Sequence, residues 1–336
     1  MEDFNSVVFG RAPQINPLKV EEKKKIRKIS NLIGAAFIAM SLVPAILNSL
    51  ISNIIRIIGP TAEVLAFVND PAFLMVLQIV FSFATFTLPF LIIPIGIGEK
   101  TSELAAFKKP KSGLFLAFVF MGVGISAFGN IVSNQIGAMF EAVGIYFDSP
   151  DFNYPTGIFG MLLSYLSIAV TPALVEEFAT RGMVLGASKK HGEFFALIVS
   201  AFFFSFLHGN LVQIPFAFVM GLVIGYAAIK TGSIIPGMVI HFLNNAIAVS
   251  LSYTMDCVES ITVQGIISLA YIGVCTILLI VGIFLAQAKD NGIWQFEKSE
   301  SLLTNGEKLK IFALSPTVII SFIMTISECA QTIIIR

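Results

Sequence analysis

The stretch GIFGMLLSYLSIAVTPALVEEFATRG (residues 157–182) decides how this chain folds. From Phe152 to Val175 it holds no Asp, Glu, Lys, Arg or His, and then Glu176, Glu177 and Arg181 arrive within six residues. An uncharged run of that length spans a hydrocarbon core about 30 Å thick, which takes roughly 20 helical residues. The rest of the chain agrees. Of its 336 residues 56% are hydrophobic and 12% charged, with a mean hydropathy of +0.87, a composition that leaves a soluble domain unable to cover its own surface. The expected fold class is an all-α integral membrane protein, a polytopic bundle of about 8–9 transmembrane helices.

Nine helices are read near 31–51, 72–97, 114–139, 157–187, 194–209, 212–229, 233–250, 263–286 and 311–327. The apolar stretch 194–229 is long enough for two helices and breaks at HGNLVQ, where Gly209 and Asn210 suit a turn. Pro89 and Pro94 are expected to kink the second helix. Gly221 and Gly225 have the small-xxx-small spacing of helix packing. Ser233 is expected to cap the seventh helix, with Pro236 in its first turn.

Basic residues alternate with helix count. Lys19, Lys23, Lys24, Lys25, Arg27 and Lys28 precede the first helix, while loop 52–71 holds only Arg56. Loop 98–113 carries Lys100, Lys108, Lys109 and Lys111, and 140–156 carries none. Lys189 and Lys190 follow the fourth helix and Lys230 the sixth, 251–262 is bare, and Lys289, Lys298, Lys308 and Lys310 follow the eighth. By the positive-inside rule the N-terminus is cytoplasmic. The organisation expected is a cytoplasmic N-terminal arm (1–30), N-terminal transmembrane helices (31–140), a catalytic core (157–250), and C-terminal helices with a tail (263–336). Lys+Arg and Asp+Glu balance at 21 each, so nothing points to nucleic acid. Cys257, Cys275 and Cys329 are widely spaced and odd in number, which argues against a disulfide framework or a thiolate metal site.

Ionisable side chains within a membrane are costly, so each is a functional candidate. Away from helix ends these are Glu176, Glu177, His208 and His241, with Arg181 and Asn245 close by in sequence; His191 reads as a solvated loop residue. Glu177 and Arg181 stand at i,i+4 in the favourable order for an ion pair. Glu176 points about 100° away and keeps its carboxylate free. His241 and Asn245 share one face of their helix, as do Phe204 and His208 of theirs. At about 1.5 Å per residue, Glu176, His208 and His241 lie roughly 20, 22 and 16 Å from their nearest charged flanks, compatible with one cavity.

A carboxylate and an imidazole in a low-dielectric site form a general-base system for water. A second histidine with an amide can donate to a developing oxyanion. Together they describe amide hydrolysis without a nucleophilic Ser or Cys. The same carboxylates and imidazoles could instead hold a divalent metal such as zinc, and spacing does not choose between the two. Two other functions use such residues. Buried Glu/His chains also conduct protons in transporters, and a Glu–Arg pair or an intramembrane His can be a structural brace in a non-catalytic protein.

The residues resemble a known family. EEFATR (Glu176, Glu177, Arg181) is similar to the EExxxR motif of the CAAX protease and bacteriocin-processing (CPBP) family of intramembrane endopeptidases. FSFLH (Phe204 to His208) resembles its FxxxH motif, and HFLNN (His241 to Asn245) its HxxxN motif, in the same order and apolar setting. The resemblance covers about 157–250 and implies a hydrolase related to the type II CAAX prenyl proteases. By motif position Glu176 and His208 would activate water, and His241 and Asn245 would form the oxyanion hole. Glu177, Arg181 and Phe204 would support them. The family has been described both as glutamate proteases and as metalloendopeptidases. The metal-free, cofactor-free reading is preferred here, and any metal would fall to Glu176, His208 and His241. The implied partners are membrane lipid and a peptide or lipidated protein substrate. The implied setting is a multi-pass protein of a cell membrane, read as bacterial. Relatives tied to bacteriocin immunity, or acting as scaffolds, keep a non-catalytic alternative open beside the proton-coupled transporter.

Overall fold

The computed structural model describes residues 16–111, 113–147, 155–297 and 299–335. The first half of the basic arm, Lys298 and part of loop 140–156 therefore lie outside the described residues.

The first helix, α1 (Pro17–Ile58), starts where Asn16 accepts the Leu18 N–H at 3.0 Å and Pro17 presets the first turn. It takes in most of the basic segment expected to precede the membrane. There follow α2 (Ala62–Val68), α3 (Pro71–Thr87), α4 (Ile92–Ile97), α5 (Thr101–Ala105) and α6 (Leu114–Glu141). Between α3 and α4, Pro89 opens a tight 3₁₀ turn, so the expected proline kink is a real interruption. Then come α7 (Gly157–His191), α8 (Glu193–Phe206), α9 (Ile214–Thr231), α10 (Ile235–Cys257), α11 (Ile261–Lys289), α12 (Asn305–Ala313) and α13 (Pro316–Gln331).

Among the described residues seven spans are long and apolar enough to cross a membrane, α3 and α4 together making one (Pro71–Ile97), or eight if α12 and α13 form one span broken by a 66° bend. The expected all-α polytopic bundle stands. The helix expected over 194–209 is α8, only 14 residues, shorter than a full crossing. It forms a hairpin with α9 through the turn at 207–213, where the sequence placed the break, and Gly209 takes φ 55° there.

Apolar side chains cover the outside. Ile46, Leu50, Ile54 and Ile57 on α1, and Leu269, Ile277 and Phe284 on α11, are all exposed. Water would not tolerate such a surface, whereas lipid is the solvent it fits. Inside, two large cores and a smaller third around Leu185, Ala196, Leu197 and Ile229 hold the bundle. One large core joins α1, α7, α8 and α12 through Ile33, Phe37, Met183, Phe203 and Phe312. The other joins α6, α9 and α10 through Phe118, Met220, Ile224 and Ile240. α7 and α8 therefore lie walled by helices from both ends of the chain.

Smaller expectations meet mixed outcomes. Gly221 does allow close packing, since a Cβ there would lie 2.9 Å from the Ala201 Cα. Ser233 does not cap α10: Ile234 is the cap residue, and the Ser233 hydroxyl accepts from Ile235 N while donating to the Lys108 carbonyl. His191 is half-buried, its carbonyl taken by the Lys308 ammonium, rather than freely solvated. The three cysteines are free thiols. A small antiparallel pair, β1 (Ile145–Phe147) with β2 (Ile333–Ile335), ties the loop after α6 to the segment after α13, and no sequence signal announced it.

Candidate active site

The site grows from an irregularity in α7. Residues Tyr165–Val170 and Phe178–Leu185 are wound as π-helix, on either side of an α-helical turn holding Glu176 and Glu177. Such widened turns are rare and often mark functional sites. Pro172 gives a reason for the first. In an α-helical frame the Ile168 carbonyl would bond the N–H of residue 172, and proline has none. That carbonyl instead accepts the Asn245 side-chain amide at 3.0 Å. A helix defect in α7 is thereby the docking point for α10.

One turn on, Glu177 and Arg181 form the expected ion pair. Oε1 and Nη1 are 2.7 Å apart and both side chains have 0% exposure. The guanidinium also donates to Thr180 Oγ1 at 2.9 Å and to the Gly221 carbonyl at 3.3 Å, and it lies 4.1 Å over the Phe204 ring. A desolvated cation on an aromatic face is worth about 2 kcal/mol. Phe204, from α8, holds more than Arg181. The imidazoles of His208 and His241 both meet its ring, each at 5.5 Å between centroids.

His241 on α10 joins the two glutamates. Its Nδ1 lies 3.1 Å from Glu177 Oε1, and its Nε2 lies 3.9 Å from Glu176 Oε2. A carboxylate paired with Arg181 accepts only, so Nδ1 carries the proton and Nε2 of the neutral ring is left as an acceptor. Nε2 donates only when the ring is doubly protonated. Glu176 keeps 15% side-chain exposure, while Glu177 beside it is fully covered. Of the two carboxylates, Glu176 is the one a ligand can reach.

His208 stands beyond the last residue of α8, in the turn, and is exposed. It is not one helix-face neighbour of Phe204 as the spacing implied, yet the ring contact survives. Asn245 is half-buried; its oxygen accepts from the Asn244 amide at 3.1 Å, and one of its own N–H groups is held by Ile168. One N–H is left for a ligand.

Five contributors escaped the sequence reading. Thr180 bridges Arg181 and the Glu176 carbonyl. The Gly221 carbonyl supplies a backbone acceptor that no residue type advertises. Ile168 and Pro172 act through the backbone, although a proline in an apolar run four residues before Glu176 was a usable signal. Gly237 leaves room for Glu177, since a Cβ there would lie 2.9 Å from Oε2. That oxygen and Arg181 Nε are buried without hydrogen-bond partners among the described residues.

A metal would need Glu176, His208 and His241 to converge. Among the described residues no three His, Cys, Asp or Glu side chains group closely enough to hold an ion.

Residues 158–247 match the family described as type II CAAX prenyl endopeptidase Rce1-like. Comparison with curated proteins and with solved structures gave no match. The matched segment runs from the start of α7 to the middle of α10, and so contains the two glutamates, Arg181, Phe204, both intramembrane histidines and Asn245. Over residues 158–247 the chain is therefore similar to the Rce1-like type II CAAX prenyl endopeptidases, which supports a link to the CAAX protease and bacteriocin-processing family.

Proposed function

We propose that the protein is an intramembrane endopeptidase that hydrolyses a peptide bond in a membrane-associated peptide, lipidated or bacteriocin-like, by glutamate and histidine chemistry. The family is one of proteases, and one observation carries the finer reading. A reachable carboxylate, Glu176, stands 3.9 Å from an imidazole whose other nitrogen is fixed by a buried, arginine-paired carboxylate. An oriented imidazole beside a carboxylate is the arrangement general-base catalysis needs.

In this reading Glu176 takes a proton from water, with His208 at the exposed edge assisting. The hydroxide adds to the substrate carbonyl, and the tetrahedral oxyanion accepts from the free Asn245 N–H and from His241 Nε2 in its doubly protonated state. Glu176 then returns the proton to the leaving amine. Glu177 and Arg181 orient His241, and Phe204 holds the two imidazoles and the guanidinium on one ring. The N-terminus faces the cytoplasm, as the Lys/Arg alternation requires, and the setting is a bacterial cell membrane.

The test uses purified protein in lipid nanodiscs with a farnesylated CAAX peptide and a bacteriocin-leader peptide as substrates. Glu176→Gln and His208→Ala should each lower turnover by about 10²–10⁴-fold without lowering the melting temperature. Turnover that survives both substitutions would sink the assignment.

A further inference from the structure

A second feature lies outside the matched segment. A cavity of about 570 Å³ opens between α1, α3 and α13. Its walls carry Ser41, Asn48, Gln78 and Thr85, and one carboxylate, Glu328. Glu328 sits on α13, twelve residues past Pro316 and roughly 18 Å along the helix. Thr317 of the same helix bonds the Asn31 carbonyl of α1 at 2.9 Å. The two helices run side by side from there, and Glu328, in the last turn of α13, faces the same cavity as Ser41 and Asn48 of α1.

Glu328 is half-buried and has no ion-pair partner among the described residues. A partly desolvated carboxylate without a cation is costly, and such residues in membrane bundles pair with one another or face a ligand path. Here the carboxylate faces a space large enough for a lysine or arginine side chain, and the surrounding hydroxyls and amides can complete the shell of an ammonium. Leu207 also lines the cavity. The next residue is His208, one Cα step of about 3.8 Å away, so an occupant of the cavity lies beside the candidate active site.

We propose that this cavity is a specificity pocket for a basic side chain of the substrate, held by Glu328, within a few residues of the bond that is cut. The identity of the occupant as substrate rests on the endopeptidase reading; the preference of the cavity for a cationic side chain does not.

The test therefore reads binding, not turnover. Full-length protein carrying Glu176→Gln is placed in nanodiscs and titrated with labelled Leu/Ala dodecapeptides bearing one lysine, or norleucine in its place, at each position in turn. At one or two positions lysine should bind about tenfold more tightly than norleucine, the scale of one charge-assisted contact. Adding Glu328→Gln should bring that ratio to about one. On the unmutated cavity, n-hexylammonium should displace the lysine peptide and spare the norleucine peptide, a readout that needs no second substitution to fold. Equal binding of both peptides at every position, or a lysine preference that persists in Glu328→Gln, overturns the proposal. So does a Glu328→Gln protein that loses bound phosphatidylethanolamine by native mass spectrometry while the peptide ratio holds, since the occupant is then a lipid ammonium. Failure of wild-type protein to hydrolyse any peptide strikes the endopeptidase reading alone and leaves the binding ratio standing.

Discussion

Arg181 carries an unusual share of the site's organisation. It neutralises Glu177, donates to Thr180 and Gly221, and lies on Phe204, all with its side chain out of reach of solvent. Removing one partner of a buried pair strands the other charge, which costs about 3–5 kcal/mol. Arg181→Ala should accordingly lower the melting temperature sharply in detergent or nanodiscs. It should also release Glu177, and with it the Nδ1 anchor of His241. The double substitution Arg181→Met with Glu177→Gln leaves no orphaned charge and should melt above Arg181→Ala, yet its turnover should stay low because His241 is no longer held by an anion. If the double variant melts no higher than the single one, the pair is not a coupled brace. The pair itself was legible from i,i+4 spacing, and so was the freedom of Glu176, because both depend only on helix period. The tautomer of His241 was not. It depends on which nitrogen meets Glu177 across two helices, and sequence spacing holds no such information.

Elements were legible to the extent that hydropathy defines them. Length and apolarity place α1, α3, α6, α7, α9, α10 and α11, and the turn at 207–213 follows from Gly209 and Asn210. What hydropathy misses is where backbone hydrogen bonding departs from the α-helix. The two π-wound segments of α7 leave its composition unchanged, as does the early end of α8 before His208. Pro172 shows how such a departure becomes functional. Without its N–H, the Ile168 carbonyl is left for Asn245. Pro172→Ala restores a competing donor inside the helix. Asn245 should then lose its anchor, and turnover should fall several-fold. The melting temperature should hold or rise, because the helix gains a bond and sheds the proline penalty of about 3 kcal/mol. A Pro172→Ala protein with full turnover would show that Asn245 does not need Ile168.

On the scale of the whole molecule, the matched segment does not build its own walls. Phe203, the neighbour of Phe204, packs against Phe37 of α1 with ring centroids 3.9 Å apart and planes tilted by 36°, and it meets Phe312 of α12 edge-on at 5.6 Å. The Lys308 ammonium on α12 is tied to the His191 carbonyl at the end of α7, and Glu307 pairs with Lys19 of α1 at 2.8 Å. In lipid such contacts are not driven by exclusion of water, since bared aromatic rings would meet acyl chains; they act through packing and hydrogen bonds. A chain ending at Glu297 should therefore still insert, because α1 to α11 keep their apolar spans. It should nevertheless melt at lower temperature and lose most of its turnover, since Phe203 has lost Phe312, one of its aromatic supports, and the ring of Phe204 beside it positions both imidazoles. The check is a protease-protection assay for insertion, a thermal melt in nanodiscs, and turnover on the same peptides. A truncated protein that inserts, melts and turns over like the full chain would show that α12 and α13 do not support the site.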